Sequence, residues 1–260
     1  MTQFRLFFQT CIALIVITGF SAQLTVAQQF TYNDNLYEQG YKMQNQSQSG
    51  VNLTYSVSSF NLADIEVNRQ AMKYVELPGV ILPGHAGSPN VPSDSRLIAI
   101  PSGSTVNVNI TNQRSEIIRD ILIAPAPEIP LDTDDSPLKY LANEAIFSTN
   151  EFYPASPVQV SEVKTVRGVE YVIVAINPIQ YNPVTNELKV NHDLEVNIEF
   201  EGGSRSFGEE RLRSRYWDPI LSDMLLNYEA LPEIDYNSLA IDNSRSINGC
   251  EYLIIVSDAP

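Results

Sequence analysis

The chain offers very little sulfur or imidazole chemistry. Its 260 residues hold two cysteines, Cys11 and Cys250, and two histidines, His85 and His192. That is too few to build a zinc set. A cysteine nucleophile needs a histidine base within reach. His85 lies in a Pro83-Gly84-His85-Ala86-Gly87 turn. His192 lies in or beside a strand, between two positions read as solvent-facing. Cys250 opens a buried strand, where it serves as a small apolar residue. No catalytic dyad, cofactor or metal is therefore expected. Positive charge is also scarce, with 16 basic residues against 31 acidic and a net charge of −15. This excludes nucleic acid, whose phosphates demand clustered Lys and Arg, and an anionic membrane surface. No apolar run reaches the ~20 residues of a membrane span. What remains is ample apolar content, 43% of the chain, so stability must come from core packing.

Residues 1–27 have the layout of a secretory leader. Arg5 supplies the positive end and Cys11 to Ile17 the apolar centre. Thr25-Val26-Ala27 sets small residues at the −3 and −1 positions. Cleavage before Gln28 would leave Cys250 alone, with no intrachain disulfide, and a secreted or extracytoplasmic protein with no membrane attachment. Residues 28–50 are polar and read as a flexible lead-in.

From Val51 the pattern changes to period two. Val51, Leu53, Tyr55 and Val57 alternate with polar residues, as in a strand with one wet face. Alternation recurs at 65–67, 72–77, 106–110, 158–160 and 194–200. Leu97–Ile100, Ile117–Ile123 and Tyr171–Ile176 are continuous apolar runs suited to central strands. Pro78-Gly79, Ser102-Gly103, Arg167-Gly168 and Asn182-Pro183 punctuate them. Roughly nine to eleven short strands over 51–200 predict a mainly β fold, an antiparallel β-sandwich or barrel. One stretch, Ala124–Pro157, is proline-rich and irregular, and loops of that length are commonly functional or disordered. Its Asp132-Thr133-Asp134-Asp135 reads as a solvated acidic turn. A hand-type calcium loop would need Gly and Glu where Pro137 and Asn143 stand.

Composition shifts again after Phe200. Residues 201–248 read as a linker with one helix over 218–228, Asp218 capping and Pro219 at its first turn. Ile220, Leu221, Met224, Leu225 and Tyr228 form its apolar stripe. Residues 249–260 end in Leu253-Ile254-Ile255-Val256, a run suited to a strand buried on both faces. One such strand is not a fold, so it is expected to be the first strand of an α/β domain that lies outside this chain.

Several blocks resemble the propeptides of gingipain-type cysteine peptidases, peptidase family C25, whose catalytic domain is caspase-like. Glu76-Leu77-Pro78-Gly79 through Leu97-Ile98-Ala99-Ile100-Pro101-Ser102-Gly103 is one. Ile179-Gln180-Tyr181-Asn182-Pro183 through Leu188-Lys189-Val190 is another. Tyr153-Pro154, Arg167-Gly168 and Leu225-Leu226-Asn227-Tyr228 follow in the matching order, and Gly249–Val256 resembles the first catalytic strand. The resemblance implies an inhibitory and folding-assistance module, without an active site of its own, whose partner is its own downstream peptidase domain. It implies that the catalytic His and Cys lie beyond Pro260. It also implies a protruding loop that occludes the substrate cleft. Loop 124–157 is the candidate, with Lys139 and Tyr140 as residues that could mimic a bound substrate. Activation would follow cleavage near the domain junction, at Arg205, Arg211, Arg213, Arg215 or Arg245. A different class remains open: an extracellular β-sandwich module for adhesion or for binding a glycan or protein. Exposed aromatics across one sheet face would favour it, but the 13 tyrosines show no such platform in sequence.

Overall fold

The computed structural model describes residues 27–80, 85–134 and 136–236, without the side chain of Arg211. Cys11, Arg245, Cys250 and the expected strand in 249–260 lie outside these residues, as does the body of the expected leader. Among the described residues twelve strands pair antiparallel in three sheets. The first five are β1 (Gln28–Thr31), β2 (Gly40–Ser47), β3 (Gly50–Ser56), β4 (Ser59–Val67) and β5 (Gln70–Glu76). Next come β6 (Asp94–Ile100), β7 (Ser104–Ile118), β8 (Val158–Val160), β9 (Lys164–Val166) and β10 (Val169–Ile176). Last are β11 (Ile179–Asn182) and β12 (Glu187–Gly202), and two short helices interrupt, α1 (Glu144–Phe147) and α2 (Asp218–Met224).

Strand β12 is the spine of the largest sheet. One edge pairs with β7 over nearly its whole length; the other pairs with β11 and then with β3, which carries β2. Leu188, Val190, Leu194, Val196 and Ile198 of β12 are buried, giving the strand its period-two apolar face. A second sheet is centred on β10, between β6 on one side and β8 and β9 on the other. The third is β1-β4-β5. One hydrophobic cluster draws on all three, from Leu53 and Phe60 to Ile98, Val172 and Val196. Each such buried side chain contributes about 1.5–3 kcal/mol. The expected antiparallel, mainly β architecture is present as sheets packed around one core, and no sheet closes into a barrel.

Several local expectations need correction. Residues 28–50 contain β1 and β2, because backbone pairing to β4 and β3 compensates for their polar side chains. The expected wet face of β3 is covered at one end: Thr54 and Ser56 are buried. Segment 32–39 lies over that end, with Asn35 Nδ2 donating to Val57 O at 2.6 Å and Leu36 N to Asp193 Oδ1 at 3.2 Å. The positions flanking His192 are not solvent-facing either, since Asn191 and Asp193 are buried. A bulge between Asn191 and Asp193 leaves His192 out of the β7 register. The run Ile117–Ile123 is not one strand. Asp120 adopts φ 60, and Ile121–Ile123 leave β7 to run beside β5, where Lys73 N donates to Leu122 O at 2.8 Å.

The 179–190 hairpin forms as the sequence indicated. Asn182 pairs with Glu187, and Asn182 Oδ1 accepts from Val184 N at 3.0 Å. Asn186, at φ 53, closes the turn.

Candidate functional site

Two features stand out from the sheets: a looped excursion within residues 124–157 and a docked segment after β12. The excursion starts from a fixed base. Ile123, Ala124 and Ala126 are fully buried. Ala124 N donates to Lys73 O at 2.8 Å, and Ala126 N to Ser88 O at 2.7 Å. Prolines 125, 127 and 130 keep the segment extended but deny it the donors a full strand needs. The chain then projects outward and returns where Glu128 N donates to Lys139 O at 3.0 Å. Beyond that neck it crosses Gly87. Asn143 N donates to Gly87 O at 2.9 Å, and a Cβ on Gly87 would press on Leu141 O. α1 follows, capped by the Asn143 side chain. The return is pinned to β11 by mutual Tyr153–Tyr181 backbone bonds, each 2.8 Å.

Leu131–Asp134 and Ser136 form the tip of the projection. Asp134 N donates to Leu131 O at 2.8 Å, and Asp134 Oδ1 accepts from Ser136 N at 3.0 Å. The Ser136 side chain and backbone hold the Asp134 carboxyl below its ordinary range. Leu131 is 79% exposed and Ile129 67%, with Leu138 and Leu141 also exposed. Lys139, expected near the middle of the loop, stands at its neck with an exposed side chain, and Tyr140 beside it is half-buried. The only signal for Ile129 and Leu131 in the sequence is their position on either side of Pro130, just before the acidic turn.

The stretch after β12, expected to be a soft linker, folds onto the β6–β10 sheet. Phe207 is buried, and Gly208 lies so close to Gly168 that an added Cβ would overlap the Gly168 carbonyl oxygen. The Arg167 guanidinium sits 4.1 Å from the centre of the Trp217 ring. Helix α2 is shorter than expected and ends at Met224. Asp218 does not cap it; Ser214 accepts from Trp217 N, while Asp218 sits in the first turn and faces Arg213. Leu221 and Leu225 point inward, but Ile220 is exposed, so the apolar stripe is narrower than its spacing suggested. The helix stops because the chain turns to cover the free edge of β6. Leu226 N donates to Leu97 O at 2.8 Å. Asn227 Oδ1 then accepts from Ala99 N at 2.8 Å, and its Nδ2 donates to Ala99 O at 2.9 Å.

The arginines divide by environment. Arg205 is exposed at φ 57, and Arg215 is exposed with its guanidinium over Tyr216. Arg213 contradicts the expectation of an exposed site. Its side chain is 1% exposed and holds Asp218 through Nε at 3.0 Å and Nη2 at 2.7 Å. Its Nη1 donates to Pro232 O at 2.6 Å. Burial acts to lower the Arg213 pKa, but the hydrogen bonds and charge of Asp218 outweigh it and leave it raised. Burial likewise acts to raise Asp218, and Arg213 with the neighbouring tyrosines brings it below the ordinary range.

Of two other buried carboxylates, Asp94 joins β6 to β3 of the largest sheet, and Asp193 joins strands within that sheet to segment 32–39. Asp94 accepts from Tyr55 Oη at 3.2 Å and Arg96 Nη1 at 2.7 Å, and burial pushes its pKa up. Asp193 accepts from Ser56 Oγ at 2.6 Å and Arg114 Nη1 at 2.7 Å, and Arg114 also pairs with Asp34. His192 stacks on Tyr32 at 4.8 Å, and His85 lies in a turn whose carbonyl accepts from Ser88. The two histidines sit in separate elements and share no site. Tyr37 and Tyr216, the exposed large aromatics among the described residues, both lie outside strands.

Comparison with known proteins gives a consistent picture. A family model, Propeptide_C25, matches residues 28–233. Lys-gingipain of Porphyromonas gingivalis is 28% identical over 155 residues, which is 57% of this chain and 9% of that protein. Gingipain R2 of the same organism is 21% identical over 189 residues, 70% of this chain and 25% of that protein. The chain therefore spans a tenth to a quarter of the curated relatives it matches. Among solved structures, a complex of the pro- and mature domains of P. gingivalis RgpB superposes with TM-score 0.65 at 18% identity. That superposition covers 73% of this chain and 97% of the matched one. A structure describing zymogenic latency of P. gingivalis gingipain K superposes with TM-score 0.57 at 24% identity, covering 67% and 98%. At those identities the superpositions show a shared fold.

Proposed function

Since the chain belongs to the Propeptide_C25 family, matched over residues 28–233, we propose that its β-domain holds a downstream cysteine peptidase domain latent and assists its folding. The family match is the observation that carries this reading. The projection 128–141 supports it, because its exposed Leu131 and Ile129 would gain from burial against an apolar surface. In this reading the tip enters the substrate cleft of the peptidase, and Lys139 and Tyr140 flank the entry at the neck. Occlusion needs no chemistry from the propeptide itself; it needs a rigid base, which the bonds to Lys73, Ser88 and Gly87 supply.

The same reading assigns residues 1–27 as a secretory leader for extracytoplasmic export, and 249–260 as the start of the peptidase domain. Release follows cleavage in 201–249, where Arg205 and Arg215 are the exposed arginines and Arg213 serves as an anchor. Arg211 and Arg245 complete the set. The aromatic platform that an adhesion or glycan-binding module would use is not found on a strand face among the described residues.

The test is inhibition in trans. Residues 28–245, added to the mature peptidase encoded downstream, should inhibit it reversibly, and Leu131→Asp combined with Ile129→Ser should weaken that inhibition at least tenfold. Lack of inhibition by the wild-type segment at micromolar concentration would remove the latency role.

A further inference from the structure

Strand β7 is a long outer strand of the largest sheet. Among the described residues it pairs with β12 alone, and no backbone hydrogen bond leads from 105–118 to any other segment. A strand in an antiparallel sheet turns the backbone groups of alternate residues to alternate sides. Phe200 N donates to Ser49 O at 2.9 Å, so the even-numbered residues around it in β12 bond towards β3 and the odd-numbered ones towards β7. The β7 partners of Glu201, Glu199 and Asn197 are Thr105, Asn107 and Asn109. The N–H and C=O groups of Val106, Val108 and Ile110 are therefore left along the open edge. Val106 and Val108 are half-buried on the core side, and Ile110 beside them is 37% exposed. Asn107 and Asn109 are exposed on the opposite face.

Edge strands are commonly blunted by charge, by proline or by a covering element. Residues 104–113 contain neither a charged residue nor a proline. Instead, Thr105-Val106-Asn107-Val108-Asn109-Ile110-Thr111 reads almost the same in both directions about Val108. Directly opposed residues of an antiparallel pair share a face, so a strand with this pattern is complementary to a copy of itself turned about a two-fold axis. We propose that β7 pairs antiparallel with β7 of a second copy of this chain about Val108, joining the two largest sheets into one continuous sheet. Each Val106 then lies opposite an Ile110, each Asn107 opposite an Asn109, and the two Val108 residues opposite each other. In that register the free N–H and C=O groups of Val106, Val108 and Ile110 meet one another across the axis.

A bulge limits the contact. Val196 pairs with Ile110 but Glu195 with Asn112, so Thr111 is an extra residue and β7 bends after Ile110. Beyond it, Arg114 turns to Asp34 and Asp193. A contact confined to the stretch before the bulge buries less than the ~1,200 Å² of a stable interface, so the dimer is weak and depends on concentration. Withdrawal of Ile110 from water and completion of the open edge favour it. The net charge of −15 on each copy opposes it, but none of that charge lies within 104–113, so added salt strengthens the association. The pairing does not involve the projection 128–141 and does not depend on the latency reading.

The experiment is sedimentation velocity on residues 28–260, which hold the whole of the described core, from micromolar to near-millimolar concentration. The sedimentation coefficient should rise from monomer to dimer and stop there, and the rise should come at lower concentration when salt is added. Asn107 and Asn109 are exposed, so their replacement should leave the melting temperature of the monomer unchanged. At low salt, Asn107→Asp with Asn109→Asp sets carboxylates opposite one another across the axis and should weaken the dimer at least tenfold. Asn107→Lys with Asn109→Asp sets each lysine opposite an aspartate and should restore it. A wild-type chain that stays monomeric throughout, or that grows past the dimer, overturns the proposal. A dimer indifferent to the paired aspartates places the contact elsewhere and overturns it too. Failure of the Lys–Asp variant to associate overturns the register.

Discussion

The Asn227 side chain and the Ala99 peptide unit exchange two hydrogen bonds, of 2.8 and 2.9 Å, so that a single carboxamide completes the free edge of β6 in place of a neighbouring strand. Ala99 is fully buried, and its N–H and C=O have no access to water. Asn227→Ala leaves both unsatisfied. At about 1–3 kcal/mol for each orphaned group, the variant should lose about 2–6 kcal/mol, measured as a lower midpoint in urea denaturation. A loss below about 0.5 kcal/mol would show that the edge is satisfied in another way.

Gly208 packs closely on the backbone of Gly168 in the docked segment. Gly208 has φ 70, and any Cβ there meets the Gly168 carbonyl. Gly208→Ala should cost about 1–3 kcal/mol through strain and displacement of the segment. It should also red-shift Trp217 emission as the ring moves off Arg167. An unshifted spectrum with unchanged stability would contradict this account of the packing.

The Arg213–Asp218 pair makes an acid-dependent anchor. Asp218 is depressed in the folded state, so the folded protein holds fewer protons at this site than the unfolded chain. Its contribution is complete above the ordinary carboxylate value of 3.8 and declines as pH falls through the lower folded value. The stability advantage of wild type over Asp218→Asn should therefore shrink on acidification. Arg213→Ala, which strands the carboxylate, should cost about 3–5 kcal/mol at neutral pH. A wild-type advantage that stays constant down to pH 2 would contradict the pairing.

Asp94 has the opposite sign. Burial raises its folded pKa, so its contribution is complete below the ordinary value of 3.8 and is lost as pH rises through the folded value. Paired denaturation curves for wild type and Asp94→Asn should move in favour of the variant between mildly acidic and neutral pH. Movement in favour of the wild type would show that Arg96 and Tyr55 outweigh the burial.

The tip of the 128–141 projection should matter for binding alone. Leu131 and Ile129 are mostly bare, so Leu131→Asp and Ile129→Ser should each change stability by less than about 0.5 kcal/mol. A larger loss, seen as a lower melting temperature, would mean that the tip packs on its own domain.

Much of this protein could be read directly from the chain. Period-two alternation at Val51–Val57 and Leu194–Phe200 marked β3 and β12, and Asn182-Pro183 with Asn186 marked their neighbouring hairpin, because these signals depend on residues close in sequence. The scarcity of cysteine, histidine and basic residues set the limits on chemistry for the same reason: composition needs no fold. What the chain could not reveal were relationships across long separations. The pairing of polar β1 and β2, the burial of Asp193 under segment 32–39, and the closing of β6 by a residue 128 positions later all depend on which surfaces meet. Arg213 shows the difference most plainly. Its sequence neighbours are mostly polar and suggest exposure, but Asp218, Pro232 and Tyr228 converge on it only once the segment docks. Local chemistry fixes which elements form; burial and hydrogen-bond satisfaction between distant segments decide which side chains stay accessible for function.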